Sequence, residues 1–127
     1  MRNRITFLII IILLVFFSCK NKTNDYAKIE YKNEINFGKI KVFDTVLKKI
    51  KLKNVSSNLL IIKKLETSCG CTVVELNDSI IEPNNFAEIK VEFISDKSNI
   101  GKINKSIIID ANTKPNFTVL YLKGFVE

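Results

Sequence analysis

The sequence predicts an all-β protein, an immunoglobulin-like antiparallel β-sandwich of seven or eight strands. Three observations predict it. Apolar residues alternate with charged ones at a period of two, most clearly in 86-FAEIKVEF-93. Turn-forming clusters separate these runs at short intervals. No stretch after residue 28 carries a helical period. A small β-barrel is the competing architecture. Of the 127 residues, 46% are apolar and 26% charged, a balance that permits a packed core in a single domain.

The amino-terminal segment stands apart from this pattern. Residues 1–18 read MRNRITFLIIIILLVFFS. Arg2 and Arg4 form a positive head, and Ile5 to Phe17 is an almost unbroken apolar run of 13 residues. A bilayer span takes about 20 apolar residues, so the run fits the short core of a secretory leader better than a transmembrane helix. It ends in 16-FFSCK-20, which resembles a bacterial lipobox with Ser18 as the small residue and Cys19 as the lipid acceptor. The alternatives are an uncleaved signal anchor and a free or disulfide-forming Cys19. Residues 1–18 are therefore assigned to a lipoprotein signal peptide, residues 19–29 to the lipidated cysteine and a flexible tether, and residues 30–127 to the sandwich.

Several consequences follow from that assignment. The expected partner is a lipid membrane, reached through acylated Cys19, and two or more acyl chains are needed for durable binding. Of the three cysteines, Cys69 and Cys71 then remain as a pair in an oxidising compartment. Without Arg2 and Arg4 the net charge falls from +7 to +5. No basic sequence with interleaved aromatics is present, so nucleic acid is not an expected partner. The residues after Cys19 include Lys20 and Lys22 with only Asp25 as a nearby acid. Lipoproteins sent to the surface in Bacteroidetes usually carry an acidic run there, so a lipid-anchored, periplasm-facing place in the cell envelope is expected.

The strands can be taken in order. In 46-VLKKIKLKN-54, Ile50 and Leu52 alternate with Lys49, Lys51 and Lys53. The apolar run 59-LLIIKKL-65 is the next strand. Residues 72-TVVELNDSIIE-82 read as a hairpin turning at Asn77-Asp78. In 86–93 the inward set is Ala87, Ile89, Val91 and Phe93. Ile103, Ile107 and Ile109 share one face of 103–110, and 118-TVLYLKGFV-126 is a final strand. The lysines at positions 48, 49, 51, 53, 63 and 64 form either a stripe for an anionic ligand or a solvated sheet face that discourages edge-to-edge pairing.

Catalytic options are narrow. The chain has no histidine, which removes histidine-based nucleophilic catalysis and histidine metal ligands. Glu66, Glu75 and Glu82 are a candidate carboxylate set, against the plainer reading of surface acids at strand ends. No phosphate-binding loop, dinucleotide loop or nucleophile elbow is present. No enzyme activity and no cofactor are expected.

The chemistry that remains is in 67-TSCGCT-72. Side chains two apart on a strand run parallel with Cα atoms about 6.6 Å apart, so a bridge between Cys69 and Cys71 requires a bend at Gly70. Four readings stay open. The pair is a structural turn, bridged or not; a redox site, with Lys63 or Lys64 as candidates to lower a thiol pKa; a soft-metal site, holding copper(I) by two thiolates or zinc with help from Glu66 or Glu75; or a mixed disulfide with a partner protein.

The order 35-INFGKI-40, 53-KN-54, 59-LLIIKKLETSCGCT-72, Pro83, 88-EIKVEF-93, Gly101 and 122-LKGFV-126 resembles the "domain of unknown function 1573" family of exported bacterial proteins. The resemblance covers about residues 30–127 and centres on Ser-Cys-Gly-Cys-Thr. It implies an immunoglobulin-like sandwich related to PapD and hydin domains, and an envelope lipoprotein of the Bacteroidetes type. It implies no reaction. Two positions depart from the family pattern: Ser56-Ser57-Asn58 stands where Asn-x-Gly is usual, and Pro83-Asn84-Asn85 where Pro-Gly is usual. Asn tolerates positive φ, so the second turn is expected to survive. The function expected on these grounds is a membrane-tethered, non-catalytic binding or structural module whose protein partner docks on a sheet edge or the strand-connecting loops. The alternative is a thiol-disulfide or copper-handling protein acting through Cys69 and Cys71.

Overall fold

The computed structural model describes residues 1–15 and 25–127. Cys19, the expected lipid acceptor, lies outside the described residues. Helix α1 spans Arg2–Val15. No helix among the described residues is long and apolar enough to cross a membrane.

Two sheets face each other. The first has the order β1 (Ile29–Glu30), β3 (Thr45–Asn54), β7 (Phe86–Ile94), β5 (Thr72–Leu76). The second has the order β2 (Glu34–Ile40), β9 (Phe117–Val126), β8 (Gly101–Ala111), β4 (Leu60–Thr67), β6 (Ile80–Ile81). The immunoglobulin-like sandwich is thus present. Its nine strands exceed the expected seven or eight because β1 and β6 are only two residues long. A single turn of 3-10 helix, Lys97–Asn99, is the other helical element described.

The period-two readings locate the core. Ala87, Ile89, Val91 and Phe93 are all buried, as are Ile50, Leu52, Ile103, Ile107 and Ile109. Between the sheets the Phe37 and Phe93 rings stack with centroids 5.3 Å apart. Gly124 lies beneath Phe37, and a Cβ on Gly124 would sit 2.2 Å from the Phe37 ring. The two ends of the family pattern, 35-INFGKI-40 and 122-LKGFV-126, are therefore one packing unit.

Three expectations are corrected. First, residues 72–82 are not a hairpin. β5 joins the first sheet through β7, and β6 joins the second through β4. Asn77 extends the β5–β7 ladder, its N–H donating to Glu88 O (3.2 Å) and its Oδ1 accepting from Glu88 N–H (2.7 Å). The Asp78 carboxylate then accepts from Ile80 N–H (3.0 Å), a local turn that redirects the chain to the opposite sheet. Second, the sandwich is not wholly antiparallel, because β2 runs parallel to β9. The first strand splits: β1 pairs with β3, the chain crosses at residues 31–33, and β2 lies along the last strand. Strands so far apart in sequence need no hairpin between them. Third, the body begins before residue 30. Ala27 is buried, donates its N–H to Asn112 O (2.9 Å) and bridges to Thr113. The predicted tether is polar in sequence, but the small apolar Ala27 fits the core at this end.

Because β1 covers only Asn54 and Lys53, the flank of β3 from Thr45 to Leu52 has no neighbouring strand among the described residues.

Candidate functional site: a bridged turn between the sheets

Cys69 and Cys71 are joined by a disulfide with a Cα–Cα distance of 5.3 Å. β4 ends at Thr67 in one sheet and β5 begins at Thr72 in the other, so four residues carry the chain across the sandwich. Such a crossing requires a sharp bend. Gly70 supplies it in an exposed position, with no atom within 4 Å of where a Cβ would stand.

The turn is tied to both sheets. Ser68 N–H donates to Ser106 O (3.0 Å) and Ser68 Oγ accepts from Ser106 N–H (3.0 Å), fixing it to β8. Cys71 O accepts from Ile94 N–H (2.9 Å), fixing it to β7. Within the turn the Thr67 hydroxyl lies 3.1 Å from Cys69 O and 3.3 Å from Thr72 O, sharing one proton between two acceptors. The buried Thr72 hydroxyl lies 3.6 Å from Cys69 Sγ and 3.9 Å from Cys71 Sγ. Both cysteines are half-buried, and Cys71 packs on the core. The flanking threonines of Thr-Ser-Cys-Gly-Cys-Thr thus hold the bridge by hydrogen bonds.

The other candidate residues do not join this turn. Glu66 pairs with Lys64 on the outer face of the second sheet. That pairing raises the Lys64 pKa, through the hydrogen bond first and the charge second. Glu75 pairs with Lys90 (3.5 Å) on the outer face of the first sheet. Glu82 is exposed after β6. The three carboxylates belong to separate places and do not converge. Among the described residues no three of Cys, Asp and Glu are grouped as metal ligands would be. The lysine stripe is also divided: Lys48, Lys49, Lys51 and Lys53 lie on β3, whereas Lys63 and Lys64 lie on β4 in the opposite sheet.

One residue near this end escaped sequence reasoning. Phe43 is 70% exposed and has φ +73, a left-handed conformation that a bulky residue rarely adopts. Its N–H donates to Ser95 O (3.1 Å), and the turn around it is closed by Asp44, whose carboxylate accepts from Lys41 N–H (2.9 Å). The only cue in 41-KVFD-44 is the aspartate, which caps the turn without Gly, Pro or Asn.

The family model described as "Protein of unknown function (DUF1573)" matches residues 17–126. No curated protein matches the chain. Among solved structures, a protein of unknown function from Porphyromonas gingivalis W83 is similar at TM-score 0.73 and 13% identity over 86% of this chain. This chain spans about half of that protein, 51% of its length. The ASH/PapD-like domain 7 of human CEP192 is similar at TM-score 0.67 and 11% identity, covering 85% of this chain and 91% of that one. The secreted serine protease VesC from Vibrio cholerae is similar at TM-score 0.62 and 9% identity over 90% of this chain, but only 26% of the protease is covered. At these identities the likeness concerns the fold.

Proposed function

The chain belongs to the DUF1573 family of proteins of unknown function, and on that premise we propose that it is a membrane-tethered lipoprotein of the bacterial cell envelope, acting as a non-catalytic binding or structural module. The observation that carries this reading is the state of the cysteines. The one thiol pair that sequence analysis marked for chemistry is closed on itself in a turn bonded to both sheets. A bridge held in this way supports a role in shaping a sheet-crossing connection. Loops and strand edges are then left as the surfaces for an envelope protein partner. The anchor is Cys19, after removal of residues 1–18, and the body faces the periplasm.

Mass spectrometry of the mature protein tests the anchor, with acyl mass expected on an amino-terminal Cys19. Thiol titration with and without reductant, followed by Cys69→Ser and Cys71→Ser variants, tests the cysteines. A bridge that stays closed in cells, and variants that lose stability without a redox phenotype, are the expected results.

A second reading, thiol-disulfide exchange or copper handling, is favoured by one observation: the bridge is only half-buried, beside an exposed glycine. A partner dithiol would attack one sulfur and break the S–S bond. Its second thiol would then resolve the mixed disulfide, leaving Cys69 and Cys71 reduced and the partner oxidised. Copper(I) would require that reduced pair. Stoichiometric copper in protein purified without chelator, or an activity lost in the serine variants at unchanged stability, would favour this second reading over the first.

A further inference from the structure

We propose that the uncovered flank of β3 receives an extended acidic peptide segment, which adds to the first sheet as a strand. This inference rests on the binding-module reading above and names the edge and the chemistry of the partner.

The ladder on the other side of β3 fixes which backbone groups are free. Ser95 N–H donates to Asp44 O and Asn54 N–H to Asn85 O, at the two ends of one uninterrupted β3–β7 register. In an antiparallel pair hydrogen-bonded residues alternate, so even-numbered residues of β3 bond to β7. Thr45, Leu47, Lys49 and Lys51 therefore turn their N–H and C=O groups outward, where β1 does not reach. Seven residues of edge, about 23 Å at ~3.3 Å per residue, present a strand's hydrogen-bonding pattern with no partner among the described residues.

A groove of about 430 Å³ runs beside this edge, floored by Ile35 and Ile50 and rimmed by Lys32, Lys48, Lys49 and Lys51. It continues past Lys53 and Phe86, where Glu30 is the acid on its wall. Lys49 is already paired with Glu88 (3.1 Å) and Lys51 lies over the Phe86 ring (4.6 Å). Among the described residues Lys32, Lys48, Lys51 and Lys53 have no carboxylate partner. Lys48 occupies an inward register position between Val46 and Ile50, so its charge stands at the mouth of the groove. An inward lysine on an edge repels neutral and basic strands, including a second copy of β3 itself. It does not repel an acidic one. Backbone pairing supplies affinity, apolar side chains on the inward face meet Ile35 and Ile50, and carboxylates on the outward face meet Lys51 and Lys53.

The test uses the full chain in detergent with a synthetic peptide alternating glutamate and valine over about eight residues, long enough for the Thr45–Lys51 edge. Expected are slowed amide exchange at Thr45, Leu47, Lys49 and Lys51, affinity that falls as salt rises, and no binding by the lysine–valine counterpart. Lys51→Glu with Lys53→Glu, both on the outward face, should weaken binding by about ten-fold or more. Leu47→Pro removes an outward donor and breaks no ladder bond, so it should abolish binding in a folded protein. If it does not fold, exchange protection at the four amides decides. Absent protection, equal binding of both peptides, or binding by folded Leu47→Pro would overturn the proposal; the last result would mean that the groove holds an anion without strand pairing. The outcome is independent of lipidation. No peptide binding with acyl mass on Cys19 sinks this inference alone, and edge protection with unmodified Cys19 sinks only the anchor.

Discussion

Asn54 shows how much one polar side chain holds at the core's margin. It is fully buried, and all its hydrogen-bonding groups are used. Its Nδ2 donates to Asn58 O (2.7 Å) and Ile81 O (2.9 Å), and its Oδ1 accepts from Ser56 N–H (3.0 Å) and Ser56 Oγ (2.6 Å). It thus organises 56-SSN-58, the segment that departs from the family pattern, and ties it to β6. Asn54→Ala strands the buried Ile81 carbonyl and loosens the 56–58 turn, and should cost about 2–4 kcal/mol, read as a lower urea midpoint. At Gly124 the constraint is space. Gly124→Ala should destabilise by roughly 1–3 kcal/mol through overpacking, and Phe37→Leu should recover part of that in the double variant. Both residues were quoted in the family resemblance, but Phe37, which fixes Gly124, and Ile81, which joins Asn54 to β6, lie far away in sequence, so these roles were not legible there. Asn84 was legible: it replaces the usual glycine and does take φ +65. A local backbone demand can be read from one residue, whereas a packing partner cannot.

Among the elements, alternation was enough for β3, β7 and β8, since each has one face in the core and period two follows directly. It failed for 72–82 because pattern reports which residues face inward and not which sheet they join. β5 and β6 are both half-inward, and only the Asx turn at Asp78 and the pairing of Asn77 with Glu88 part them. The need for a bend at Gly70 was readable from strand geometry; the bonds from Ser68 to Ser106 were not, because they join different strands. Since the bridge closes a loop of only three residues, Cys69→Ser with Cys71→Ser should lower stability by only about 1–2 kcal/mol, measured by thermal unfolding without reductant. The turn after β7 carries a pH signature. Asp96 caps Lys97–Asn99, and the Ser98 hydroxyl, followed by the Ser98 backbone N–H, holds its carboxyl below the ordinary 3.8. A depressed carboxyl pKa contributes stability above 3.8 that is lost as pH falls through the lower, folded value. The Ser98 amide resonance should titrate with a midpoint below 3.8, and Ser98→Ala should move that midpoint upward.

For the molecule as a whole, the sandwich class follows from composition, period and turn spacing, because these report how a 127-residue chain divides inside from outside. Topology does not follow, since the split first strand and the parallel β2–β9 pair depend on long-range choices. The anchoring reading belongs to this scale too. On that reading Cys19→Ser should leave the fold intact and move the protein from the membrane to the soluble fraction on cell fractionation, because the acyl chains would sit on that residue alone while Ala27 onward forms the body. The parallel pairing of β2 with β9 has a mechanical side. A pull on the amino-terminal end of β2 against the carboxy-terminal end of β9 strains their cross-strand bonds in shear, all together, instead of opening them one after another like a zipper. A domain fastened at one end to a moving envelope and gripped at the other would resist tearing along that seam.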